Sequence, residues 1–166
     1  IILASAVYIA YVSGLYERAK SLLLSAVEQN PEFPRFHLWL SYVYWVSGDL
    51  ESTQLYLNNA LDLSNRHPQY LSALAFYYGI TNQLDKAIVI QEELLYTSQA
   101  RYVSNFDMAL TYLGTQDLEQ AMDYFQKAAD AGDMWITFLA VDQRFNYLHS
   151  NSKFVKIVRS TGLELN

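Results

Sequence analysis

Apolar residues along this chain recur at steps of three and four, the spacing that lines one face of an α-helix. Leu38, Tyr42 and Trp45 follow it, as do Leu57, Ala60 and Leu61. Strict alternation, the mark of a half-buried strand, does not govern the pattern. Short polar segments rich in Gly, Asp or Asn separate the apolar ones, where one helix stops and the next begins. The pattern therefore predicts helix, short turn and antiparallel helix, over and over.

The repetition has a fixed length. Shifting the sequence by 48 − 14 = 34 lays Gly14-Leu15-Tyr16-Glu17-Arg18-Ala19 on Gly48-Asp49-Leu50-Glu51-Ser52-Thr53. The same shift leads to Asn82-Gln83-Leu84-Asp85-Lys86-Ala87 and then to Gln116-Asp117-Leu118-Glu119-Gln120-Ala121. Other columns keep the register: small residues at Ala19, Thr53, Ala87 and Ala121 and again at Ala26, Ala60, Leu94 and Ala128. Large residues stand at Leu23, Leu57, Gln91 and Phe125, and a further column reads Ala10, Tyr44, Tyr78 and Tyr112. Closely crossing helices need small side chains at contact and bulky ones where the gap opens. One hairpin cannot bury its own apolar faces, so each must stack on the next.

Period, small-residue columns and Gly-Asp-Leu-Glu turn together resemble the tetratricopeptide repeat. The resemblance covers residues 1–133 as four units, about 1–33, 34–67, 68–101 and 102–133. It implies an all-α fold, a right-handed superhelical array (α-solenoid) of helix-turn-helix units. Three residues depart from the family's pattern: Gln91 in an apolar column, Leu94 in a small one and Asn82 in place of a turn glycine. They predict a third unit that is looser, or rotated slightly against its neighbours.

Beyond Asp133 the period fails, and residues 134–166 read as C-terminal capping helices over the last repeat. Trp135 to Ala140 is a short apolar helix, Lys153 to Ser160 an amphipathic one, and Gly162 ends it. Val141, Asp142, Arg144, Phe145, Leu148, Phe154, Gly162 and Leu163 also resemble the tail that closes tetratricopeptide regions of large bacterial regulators. That resemblance implies the regulatory half of a winged-helix transcriptional activator, or of a cyclase- or kinase-linked protein. The opening Ile1-Ile2-Leu3, with no initiator Met or basic leader, reads as an excerpt from a longer chain.

Composition narrows the function. The chain is 52% hydrophobic and only 17% charged, with net charge −6. It therefore makes a core easily and a phosphate-binding face poorly. Direct nucleic-acid contact is not expected. The absence of cysteine removes disulfides, thiolate nucleophiles and zinc ribbons. His37, His67 and His149 lack the spacing of metal ligands. Glu17, Glu51, Asp85 and Glu119 recur with the repeat, where they suit the N-termini of second helices; a catalytic pair would occur once. No nucleophile elbow or phosphate loop is present, so neither an enzyme, a cofactor nor a metal is expected. Apolar stretches stop short of the ~18 residues a membrane span needs. The expected compartment is the cytoplasm, or the periplasm if the parent protein is a membrane-anchored activator.

In the family, first helices line a concave groove. Its phases fall here on Tyr8, Arg35, Leu38, Trp39, Tyr42, Trp45, Phe76, Ile80, Phe106 and Leu110, a set apolar and aromatic but for Arg35. A known carboxylate clamp of the family is missing, because Ser5, Trp39, Ser72 and Ala73 occupy its phases. The expected function is a protein-interaction scaffold that binds a partner, a peptide or its own upstream effector domain. Three alternatives stay open: homodimerisation of a transcriptional activator, a small-molecule sensor, and aromatics that are simply core.

Overall fold

The computed structural model describes residues 2–165, with side chains from Leu3 onward. Four helix pairs follow one another: α1 (Ile2–Val12) and α2 (Tyr16–Gln29), α3 (Pro34–Val46) and α4 (Leu50–Leu63), α5 (Pro68–Ile80) and α6 (Leu84–Ser98), α7 (Asn105–Gly114) and α8 (Leu118–Asp130). Two 3₁₀ segments, Met134–Ala140 and Gln143–Leu148, lead to α9 (Ser152–Ser160). No strand occurs among the described residues, and no helix among them is long and apolar enough to cross a membrane.

The backbone repeats as the sequence does. Gly14, Gly48, Asn82 and Gln116 all adopt left-handed φ, at 71°, 81°, 57° and 63°. After each, the next amide reaches back to the carbonyl of Ala10, Tyr44, Tyr78 or Tyr112, at 2.8 to 3.0 Å. This is the Schellman closure, made by main-chain atoms alone. The third unit therefore turns as the others do despite Asn82. Glutamine tolerates the left-handed region poorly. Gln116→Gly should accordingly raise unfolding free energy by about 0.5–1 kcal/mol, read from a denaturant midpoint at unchanged slope.

The small columns lie at the helix crossings. Ala19, Thr53, Ala87, Ala121, Ala60, Leu94 and Ala128 are wholly buried. Thr53 satisfies its hydroxyl on the Asp49 carbonyl at 2.7 Å. Gln91, in the bulky column, donates its side-chain amide to Thr115 Oγ1 at 3.1 Å, so a hydrogen bond replaces apolar contact there. The tyrosine column stacks near the turns: Tyr44 on Tyr56 and Tyr112 on Tyr124, with Lys20 and Lys127 over the rings.

The chain divides into two compact units, Ile1–Tyr70 and Leu71–Asn166, and the boundary falls just inside α5. In the first unit α3 packs against both α2 and α4. In the second, α7 packs against α6 and α8, and α9 against α8. The tail does more than cap. Asp142 accepts bonds from three nitrogens of Arg144, the backbone N at 3.0 Å, Nε at 3.0 Å and Nη2 at 2.6 Å, with both residues buried. That turn drives Phe145 inward. Its ring stacks on Phe76 of α5 at 5.6 Å and meets Phe125 at 6.3 Å and Phe106 at 6.5 Å.

Candidate functional site

In the unit Ile1–Tyr70 the trough between α1 and α3 holds a pocket of about 230 Å³. Val7 and Leu23, both almost fully buried, form its floor. Leu3, Phe36 and Trp39 are half-buried walls, and Ala4, Phe33 and Arg35 form the exposed rim. Helical spacing explains the arrangement: Leu3 and Val7 share one face of α1, and Arg35 and Trp39 one face of α3, each pair four residues apart. Pro34 opens α3 at its first turn, where a missing amide hydrogen costs nothing, and so places Phe33 at the mouth.

The walls are fixed. Trp39 lies edge-on to Tyr11 at 5.5 Å and to Tyr42 at 5.8 Å, and Phe33 lies edge-on to Phe36 at 4.6 Å. The Arg35 guanidinium stands near the Tyr70 phenol at the rim. Burial raises the Tyr70 phenol above its ordinary value, against the pull of that nearby charge.

The ten groove positions fare differently. Arg35 and Trp39 line the pocket. Tyr8 is exposed and Trp45 half-buried, whereas Leu38 and Tyr42 are buried. In the unit Leu71–Asn166, Ile80 is exposed, while Phe76, Phe106 and Leu110 are buried and two of these pack on Phe145. The groove phases did not point to Leu3, Ala4, Val7, Leu23, Phe33 or Phe36. The one available signal was an aromatic residue just before the Pro34 helix start.

Ser72, at a clamp phase, is buried and donates to Asp107 Oδ1 at 2.9 Å, and Ser104 donates to Oδ2 at 2.8 Å. Burial pushes the Asp107 carboxyl up to about 6, partly offset by these two hydroxyls, with Asp133 adding to the rise. The folded state therefore holds this proton more tightly than the unfolded chain, and the group's contribution to stability falls as pH rises from about 4 through 6. Asp107→Asn should gain about 1–2 kcal/mol at pH 7, after discounting for partial exposure, and nothing at pH 3.5. Thermal melts of both proteins across that range check it. A constant difference would sink the assignment.

The histidines serve structure. His37 Nε2 donates to the Pro31 carbonyl at 2.7 Å, His67 Nδ1 accepts the Gln69 amide, and His149 stacks on Phe154. Among the described residues no cluster of three metal-ligating side chains occurs. Glu17, Glu51, Asp85 and Glu119 stand exposed in the first turns of α2, α4, α6 and α8. Residues 102–131, which hold α7 and α8, match the tetratricopeptide repeat family. No curated protein matches the chain.

Proposed function

We propose, on the premise that residues 102–131 match the tetratricopeptide repeat family, that this chain is a non-catalytic interaction module whose trough between α1 and α3 receives a protein partner. The observation that carries the reading is the apolar pocket with preset aromatic walls. Pockets of that kind, ringed by Trp and Arg, are where binding energy concentrates in protein interfaces. A volume of about 230 Å³ suits one large side chain better than a drug-sized ligand, which favours a protein partner over a small-molecule sensor.

We place the module in the regulatory part of a larger bacterial protein acting in the cytoplasm. The support is the Val141-Asp142-Gln143-Arg144-Phe145 tail, whose resemblance to regulator tails is joined by its role in setting Phe145.

A photo-crosslinking amino acid at Ala4, on the rim, and separately at exposed Leu55 on α4 tests the reading in cells of the source organism. The expected result is a discrete heteromeric adduct from position 4 and none from position 55. An adduct of twice the chain's own mass would make a second copy the occupant. Equal labelling from both positions would remove the trough from consideration.

A further inference from the structure

The pocket has a chemical polarity that narrows its occupant. Its floor and walls are wholly apolar, and of the eight residues that line it Arg35 alone carries a charge. Arg35 stands on the rim, exposed and near the Tyr70 phenol. A guanidinium has five N–H donors in a fixed planar fork, which suits a carboxylate. A cavity of about 150 Å³ accepts a benzene ring, so about 230 Å³ holds one phenylalanine or leucine side chain.

We infer that the trough between α1 and α3 recognises an acidic peptide segment: one large apolar side chain enters the pocket, and an Asp or Glu one or two residues away pairs with Arg35. The inference rests on the interaction reading above and gives it a ligand chemistry. Charge complementarity selects this occupant. Among the residues that line the pocket only Arg35 can pair with a carboxylate, so it fixes where the carboxylate docks. A basic peptide would set its charge against Arg35 at the mouth. The rigid Trp39 wall, braced by Tyr11 and Tyr42, asks for little ordering on binding.

The test is selection of random octapeptides, displayed with amidated C-termini, on the full chain and on two variants. Arg35→Glu reverses the rim charge, and Ala4→Trp plugs the mouth from an exposed position; circular dichroism confirms the helical fold of both. The parent protein should enrich Phe, Leu or Trp with Asp or Glu within two residues. Arg35→Glu should exchange that acid for Lys or Arg at the same spacing, and Ala4→Trp should enrich neither. An enriched peptide, made synthetically and titrated by tryptophan fluorescence, should bind Arg35→Gln about fivefold more weakly, as a rim ion pair allows. Apolar peptides enriched with no acidic preference, or an acidic preference that survives Arg35→Glu, would overturn the ligand chemistry and leave the interaction reading standing. Enrichment unaffected by Ala4→Trp would overturn the site. No enrichment by the parent, together with no adduct from position 4, would overturn both.

Discussion

Phe145→Ala should cost about 3–5 kcal/mol, the range for emptying a fully buried aromatic site. Phe145 is 0% exposed, and its ring touches rings from α5, α7 and α8 together. Truncation leaves a cavity that none of those helices can close without leaving its other neighbours. Phe145→Leu keeps much of the volume and should cost less than half as much. Urea unfolding of the chain with Trp39 and Trp45 replaced by Phe, which leaves Trp135 as the one tryptophan, measures both. Near-equal midpoints for the parent and Phe145→Ala would mean that the tail lies elsewhere in solution.

Gly114→Ala is the second large effect, about 3 kcal/mol destabilising, although alanine is the better helix former by roughly 1 kcal/mol. A Cβ on Gly114 would come closer than 3.0 Å to the backbone of Ala75 and Phe76, and one on Gly79 would meet the backbone of Gly114. Backbone cannot rotate aside as a side chain can, so the helices must part. Gly14→Ala provides the contrast. Its Cβ would point into open space, and only the left-handed φ of 71° opposes it. That strain costs about 1–2 kcal/mol. Thermal denaturation of the two variants side by side checks the order. If Gly114→Ala proves the milder change, the close approach of α5 and α7 does not hold.

The two glycine effects also mark how far the sequence could be read. Turns and small columns were legible because each depends on a few neighbouring residues and recurs at the repeat period. Even Asn82 and Gln116 keep the turn, since main-chain hydrogen bonds close it. Gly79 and Gly114 are 114 − 79 = 35 apart, one step out of register, so no column joins them. Gln91 reads as a weakness in the sequence because its partner Thr115 lies on the next pair of helices.

The candidate site was legible in part for a similar reason. Phase alone marks Trp39 and Arg35, which line the pocket, and equally Phe76 and Phe106, which face Phe145. Nothing local tells an open phase from one that a distant tail fills. Leu3, Val7 and Leu23 belong to the floor and wall through the way three helices meet, and that meeting is tertiary.

The insertion of Phe145 has a consequence for how the unit Leu71–Asn166 comes apart. A simple stack of repeats behaves as a one-dimensional chain, fraying from its end one element at a time. Here the last segment is clasped to α5, the unit's first helix, so α9 and the 3₁₀ segments cannot peel away without exposing the rings that hold α5, α7 and α8. Amide protons across these helices should then exchange with solvent through one shared opening event, with similar protection at the C-terminal end and in the middle. The clasp turns a modular stack into a single cooperative block.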